Sequence, residues 1–472
     1  MSKTPYRLSV GRTRMAAVLG LVVSAADVGA ARTAVAQAPS ARGRTPSAPL
    51  TLEQARATAR QVSPELRAAR AALGAAAARE RQAGAVPNPI LAYGHERTSR
   101  GGQTNAQHIA QLEQPLEVGG QRAARRDAAR ARRAAAEARL AAAEAQLDYD
   151  VTRAYALAVS ADRRLSLAQQ AAEAFTTAER VSERRFAAGD VSGYANRRLR
   201  LEAARYASVR ARAALERRSA RIALAALLAD SSIAPGPLAD ALILTDTTLA
   251  LPPLAEPTAP TSGPRLPTDD SLLATALTHR ADLRAAALDA AAAAAEARLA
   301  ARERVPVPVI SGGYKTEQAA GAGAGFRGLV AGVSVPLPVW DRRAGAVQAA
   351  EAEARRADAG VAAHRRQVAR EVAEAAAALR AAEEERTLLA AQVGPATDAA
   401  MRAVRVAYGE GEITLVEWLD AVRAYQEAEA TYVTLQAEAA IRRAALERAV
   451  GAPLFTSTTS QTGSAASMAS PR

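Results

Sequence analysis

The chain has 472 residues, no cysteine, a formal net charge of +13 at pH 7, and 49% hydrophobic but only 3% aromatic residues. Without cysteine it holds no disulfide scaffold, no thiolate metal site and no lipid-modified N-terminal cysteine. So few aromatics argue against ordinary globular cores, whereas an alanine, arginine and glutamate bias with helical periodicity is the composition of long helices and coiled coils.

Residues 1–36 read as a secretory signal peptide. Lys3, Arg7, Arg12 and Arg14 make a basic start, Met15 to Val23 an apolar stretch, and Ala34-Val35-Ala36 an A-x-A cleavage site. The apolar run is well short of the ~18 residues of a membrane anchor. The signal's five basic residues and one acid leave the mature chain at +9. Residues 37–50 form a linker, and no later stretch has the ~20 apolar residues of a transmembrane helix. An exported chain of this kind is either soluble or a β-barrel.

The mature sequence is written twice, at an offset of roughly 220 residues, well beyond solenoid periods. Val86-Pro87-Asn88-Pro89-Ile90 recurs as Val305-Pro306-Val307-Pro308-Val309. Pro115-Leu116-Glu117-Val118 with Arg122 recurs as Pro336-Leu337-Pro338-Val339 with Arg343. Phe186-Ala187-Ala188-Gly189-Asp190-Val191-Ser192 recurs as Tyr408-Gly409-Glu410-Gly411-Glu412-Ile413-Thr414. The repeats span 51–230 and 271–451.

Each repeat opens with a helix, Leu52 to Ala83 behind a Thr51 cap and Ser271 to Arg304, ended by prolines. Two short strands follow, 89–97 with 106–116 in the first repeat and 307–316 with 327–338 in the second, around Gly-rich turns. Leu329, Ala331, Val333 and Val335 alternate with Gly328, Val330, Gly332 and Ser334, and Gln107, Gln111 and Glu113 lie opposite Ala106, Ala110 and Leu112. Such weak alternation is the pattern of a transmembrane strand. Long helical hairpins come next, 120–230 and 342–450. Gly120 to Phe186 has no proline or internal glycine and predicts a rod of about 100 Å. The second rod, 342–407, is expected to kink or break at Gly394-Pro395. Leu140, Leu147, Ala154 and Ala161 recur at sevens beside Val151, Ala158 and Leu165, as do Val361, Val368 and Ala375 beside Val372 and Leu379, so the helices should supercoil. Segment 231–270 is either a flexible linker or a short irregular domain, and the tail 452–472 is expected to be disordered.

Four membrane strands cannot close a barrel, which takes at least ~8, so the chain must oligomerise to remove its edges. The sequence resembles the TolC-like outer membrane factor (outer membrane efflux protein) family over essentially the whole mature chain. The run Leu112-Glu113-Gln114-Pro115-Leu116-Glu117-Val118-Gly119-Gly120-Gln121-Arg122 is similar to that family's strand-to-helix junction. It is closest to the cobalt-zinc-cadmium heavy-metal efflux branch, where PLE-x-GG-x-R is typical. Val335-Pro336-Leu337-Pro338-Val339-Trp340-Asp341-Arg342 resembles the second junction.

The resemblance implies a mainly α protein: a homotrimeric α-barrel of coiled-coil helices under a shared 12-stranded transmembrane β-barrel, four strands per chain. It implies a passive outer-membrane exit channel of a tripartite system, with the helical barrel in the periplasm. The partners would be a periplasmic membrane-fusion adaptor, an inner-membrane RND pump and outer-membrane lipid, and the cargo heavy-metal cations or small toxic compounds. The alternatives are a channel for type I protein secretion and a periplasmic coiled-coil adaptor, which would not need the duplicated strand pairs.

Site expectations fall on the hairpin tips. Glu417 and Asp420, three apart on one helix face, would form the acidic periplasmic gate implied by the resemblance; three copies would draw cations and repel anions. Spacing alone more often describes a solvated acidic face. Phe186, Gly189, Asp190, Val191 and Ser192, with Tyr408, Gly411, Glu412, Ile413 and Thr414, are the candidate adaptor-docking tips, or two ordinary turns. Ala195 and Ile413 depart from the family, some members of which have there an acid and an arginine that lock the closed state. The strand–helix junctions are Pro115, Gly119, Gly120, Pro336 and Pro338. Tyr93, Tyr314, Phe326 and Trp340 mark membrane interfaces or ordinary strand packing.

No enzyme, cofactor or metal site is expected. His95, His108, His279 and His364 show no ligand spacing. Gly321-Ala322-Gly323-Ala324-Gly325 lacks a P-loop's Lys-Ser/Thr end and reads as an extracellular loop. The basic balance is spread along rods of an exported chain, which sets nucleic acid aside.

Overall fold

The computed structural model describes residues 49–230, 234–245, 266–318, 325–390, 393 and 395–455. The expected signal peptide, most of the 37–50 linker, residues 246–265, the loop at 319–324, Gly394 and residues 456–472 lie outside the described residues. The described chain is mainly helical with one small sheet.

Thr51 opens helix α1 (Leu52–Val62) with a capping box: its hydroxyl accepts the Gln54 N–H at 3.2 Å and its N–H donates to Gln54 Oε1 at 3.0 Å. The helix expected over 52–83 is broken at Ser63, because Pro64 has no N–H to continue the ladder. Ser63 then caps α2 (Pro64–Ala83) by accepting the Leu66 N–H at 3.2 Å. Repeat two breaks at the matching place. There α6 (Asp269–His279) and α7 (Ala281–Arg302) meet at Arg280, whose buried guanidinium binds Asp282 and Glu371.

The long rod α3 (Gln121–Ala187) runs 67 residues without interruption and returns through α4 (Gly193–Leu228). The second rod is two helices, α8 (Ala344–Ala390) and α9 (Pro395–Glu410), before α10 (Leu415–Val450) returns. Pro395 opens α9 because its fixed φ and missing N–H suit only a first turn. Between the repeats, α5 (Pro235–Ala241) and the residues after it are docked rather than free: Leu50 bridges Leu244, and the Tyr155 hydroxyl donates to Leu50 O at 2.7 Å.

Strands β1 (Ile90–Arg100), β2 (Gln103–Pro115), β3 (Val309–Gln318) and β4 (Phe326–Ser334) form one antiparallel sheet in chain order, so β2 and β3 join the two repeats. The expected strand 327–338 stops at Ser334; Pro336 and Pro338 cannot donate to a ladder. At Gly313 an added Cβ would lie 2.4 Å from the Ala110 carbonyl oxygen, so only glycine lets β3 approach β2 there. Among the described residues the outer edges of β1 and β4 have no partner.

The register sorts the side chains onto two unlike faces. One carries Leu91, Tyr93, Leu112, Ile310, Tyr314, Leu329 and Val333, all well exposed, with Leu329 at 90%. The opposite face carries Gln107, Gln111, Glu113, Ser311, Lys315 and Glu317, all half-buried. There Asn105 donates to Glu317 at 3.1 Å and Lys315 pairs with the same carboxylate at 3.1 Å. A soluble sheet would reverse this burial.

The rods pack through alanine. Val151, Ala154, Ala158 and Ala161 of α3 are buried, as are Val361, Val368, Val372 and Leu379 of α8, so the seven-residue seams face inward. One core joins α1, α3, α4, α5 and α10; a second joins α6, α7, α8 and the end of α10; a third lies near the hairpin tips.

Candidate functional site

The two hairpin tips are built alike. In the first, Gly189 takes φ +85° and donates to Phe186 O at 3.0 Å, and Asp190 N–H donates to Arg185 O at 2.9 Å. In the second, Gly411 takes φ +82° and donates to Tyr408 O at 3.2 Å, and Glu412 N–H donates to Ala407 O at 2.9 Å. These are left-handed helix ends that glycine adopts without strain. Ser192 then caps α4 through the Ala195 N–H at 3.2 Å, as Thr414 caps α10.

Their surfaces differ. The first tip exposes Phe186 (46%) and Tyr194 (74%), with Val191 half-buried between them. The second turns Tyr408 and Ile413 inward against Trp418 and Leu419. Tyr408 stacks on Trp418 at 5.1 Å, Trp418 meets Phe175 edge-on at 5.1 Å, and Phe175 stacks on Tyr206 at 4.1 Å. Burial pushes the Tyr408 hydroxyl above its usual pKa. This aromatic cluster locks α3, α4, α9 and α10 together, and the sequence reading missed it. The signal was a chain poor in aromatics that spends Phe175, Tyr206, Tyr408 and Trp418 close to its two tips. Beside it lies a cavity of about 880 Å³ lined by Arg184, Arg185, Arg405, Glu173 and Asp190.

Glu417 and Asp420 are both exposed on the first turns of α10. Glu417 is engaged locally: its carboxylate accepts the Thr414 N–H at 2.7 Å and the Thr414 hydroxyl at 2.8 Å, completing a capping box. Those bonds, the backbone one first, hold its pKa below the usual carboxylate range, so it stays charged. Asp420 lies 3.9 Å from Arg423. Arg423 in turn pairs with the buried Glu202 of α4, tying the first hairpin to the second. Ile413, where some relatives of the resembled family have arginine, fills the tip core, and Ala195 serves only as a capped N–H. Near the tips the two hairpins are joined by Glu202–Arg423 as well as by the aromatic cluster.

At the first junction every residue of the motif has a partner. Pro115 ends β2, and Glu117 accepts a two-pronged pair from Arg125 at 2.6 and 3.1 Å. Gly119 sits where a Cβ would lie 2.6 Å from the Val305 Cβ, and Gly120 takes φ +77° before α3. Gln121 accepts the Gly119 N–H and donates to Val305 O, each at 2.9 Å, and Arg122 donates to Gly84 O at 2.8 Å. The motif thus knits the first junction to the chain leaving α7. At the second junction Arg343, not a glycine, holds the left-handed residue before α8, with φ 52°. Its N–H donates to Asp341 at 2.7 Å and its guanidinium pairs with Glu303.

Among the described residues no cluster of metal-ligating side chains occurs and no helix is long and apolar enough to cross a membrane. Four strands with an exposed apolar face, set on long paired hairpins, define the class: a protomer of an outer-membrane channel. The model of the outer membrane efflux protein family matches residues 55–230 and 272–452, and the chain belongs to that family, whose members are channels rather than enzymes. It is 26% identical over 411 residues to the cobalt-zinc-cadmium resistance protein CzcC of Cupriavidus metallidurans, covering 86% of this chain and 91% of that one. Among solved structures, VceC from Vibrio cholerae is 22% identical with a TM-score of 0.64, over 86% of this chain and 97% of that one. The open-state outer membrane channel MtrE of Neisseria gonorrhoeae is 21% identical with a TM-score of 0.63, over 85% and 89%.

Proposed function

We propose that the chain is the outer-membrane exit duct of a tripartite efflux system and acts as a homotrimer. The single observation that carries this reading is the sheet. It has an exposed apolar face, a polar face bonded within itself and two free edges, yet too few strands to close. Pairing β1 of one protomer with β4 of the next closes a twelve-stranded barrel and removes every edge. The hairpins then extend the wall by about 100 Å into the periplasm. The signal peptide, the two repeats at 51–230 and 271–451 and the docked segment between them fit this export route.

The tips are the docking surface for a periplasmic membrane-fusion adaptor, with exposed Phe186 and Tyr194 as apolar contacts, and an inner-membrane RND pump supplies the drive. Glu417 and Asp420 ring the periplasmic mouth, three pairs per trimer, and favour cations. Similarity to a cobalt-zinc-cadmium resistance protein and this acidic mouth support heavy-metal cations as cargo. Gene deletion tests the reading: zinc, cobalt or cadmium sensitivity should rise, with trimers lost from the outer-membrane fraction. Unchanged metal tolerance removes the metal cargo. A secretion defect instead makes the duct one for proteins. Absence of the protein from the outer membrane removes the reading altogether.

A further inference from the structure

The register places the sheet's side chains in rows, and the rows change character along the strands. Leu91, Leu112, Gly312 and Ala331 make one row; Tyr93, Ala110, Tyr314 and Leu329 the next; His95, His108, Thr316 and Arg327 the third. Arg97 stands one row further out, opposite Ala106. All four rows lie on the same face, whose inner rows are the exposed apolar band.

Two features set the outer rows apart. First, no acid occurs on this face among the described strand residues: Glu96, Glu113 and Glu317 all point to the opposite one. Among the described residues Arg97 and Arg327 are exposed and make no ion pair within the protomer. Secondly, the imidazoles are held. His95 and His108 stack at 4.4 Å, His95 Nδ1 contacts Gln107 O at 3.2 Å, and His108 Nδ1 contacts the Tyr93 hydroxyl at 2.8 Å. Adjacent strands are ~4.8 Å apart, so β1 and β4 stand about 14 Å apart across the sheet. Within one protomer the cations stand at opposite margins, a spacing that suits a headgroup with two separated anionic groups better than a single phosphate.

We propose that the row His95–His108–Thr316–Arg327, with Arg97 beyond it, is a binding site for a lipid whose headgroup carries two phosphates, in the leaflet at the outer end of the barrel. This rests on the barrel reading above. The exposed apolar rows seat the acyl chains, the Tyr93–Tyr314 row marks the interface, and the arginines grip the phosphates by two-pronged hydrogen bonds. Each trimer carries three such sites.

The test uses the purified full-length protein in neutral detergent, titrated with bisphosphorylated lipid A and with the same lipid stripped of both phosphates. The phosphorylated form should half-saturate at a concentration about thirtyfold lower, as two surface arginines warrant, and Arg97→Gln with Arg327→Gln should erase the difference. Glu96→Gln with Glu317→Gln, on the opposite face, should leave it intact. Equal binding of the two lipids by the wild type overturns the proposal without reference to any variant. So does a preference surviving in the arginine variant, or full displacement by millimolar inorganic phosphate, which would make the site one for free anions. Wild-type conductance in phosphate-free vesicles checks the barrel separately: conductance without lipid preference sinks the proposal alone, and no conductance sinks both.

Discussion

Arg423→Met should loosen the contact between the two hairpins more than the loss of a surface ion pair would. Arg423 is the charged partner of Glu202, a residue only 8% exposed, and the Glu202 Oε2 atom is buried without a hydrogen bond even in the intact protein. Arg205, 3.8 Å from that carboxylate, is a weak substitute. Stranding one member of a fully buried pair costs ~3–5 kcal/mol. Here the arginine side chain is 27% exposed and water can reach the gap, so about 2 kcal/mol is the working value. That is a shift of about thirtyfold in the balance between joined and separated tips. Glu202→Gln with Arg423→Met removes both charges while keeping the shape, and it should recover all but about 1 kcal/mol. Urea unfolding and single-channel open probability read the two consequences, stability and opening. If the double variant is as damaged as the sum of its parts, within ~0.5 kcal/mol, the two groups are uncoupled and the reasoning fails.

Three further outcomes follow from the geometry. Gly313→Ala should block the β2–β3 approach and with it assembly, because the new methyl meets a carbonyl and not a flexible side chain; loss of heat-stable oligomers measures it. Glu417→Ala with Asp420→Ala should lower cation selectivity in bilayers, and Glu417→Ala alone should also loosen the first turn of α10 slightly through the lost half of the capping box. Unchanged selectivity would leave both acids as a solvated face. Acid should weaken the α6–α7 junction. Burial pushes Asp282 and Glu371 up, but the hydrogen bonds they accept, from Arg280 in both cases, and its charge more than offset this, and both end below their ordinary values. A carboxylate depressed in the folded state stabilises above its unfolded pKa and loses that contribution as pH falls through the folded one. Thermal stability should therefore hold at neutral pH and decline below about pH 4, less steeply in Asp282→Asn.

Local chemistry was legible in the sequence. Pro395 acts through a missing N–H, Gly411 through positive φ, and Thr51 through its side-chain oxygen; none needs a distant partner to be read. Pro64 and Pro336 carry the same signal, yet one helix was expected across 52–83 and a strand as far as 338. The sheet's alternation was half visible at Leu329 to Val335, but which face is exposed emerged only with the register. Features depending on remote residues were hidden. Phe175, Tyr206 and Trp418 meet across three helices, and Glu202 finds Arg423 over 221 positions. Glu417 was read as a gate acid, and its second task, closing the turn at Thr414, shows only in the hydrogen bonds.

The alanine seams explain why charge carries so much of the specificity. Alanine against alanine buries little and fits almost as well one turn up or down, so the seams bring rods together without fixing their offset. The contact of α3 with α7 supplies what is missing. Arg132 pairs with Glu296 and Arg139 with Asp289, seven residues further along one helix and seven back along the other. Each pair is largely exposed and contributes at most ~1 kcal/mol. A slip by one turn, however, breaks both at once and sets arginine against alanine, so their value lies in the difference between registers. A tube whose bore depends on helix offset needs that difference more than it needs raw stability. Arg132→Ala with Arg139→Ala should accordingly change unfolding stability little and broaden the distribution of single-channel conductances. A single sharp conductance level in that variant would show that the seams set the register unaided.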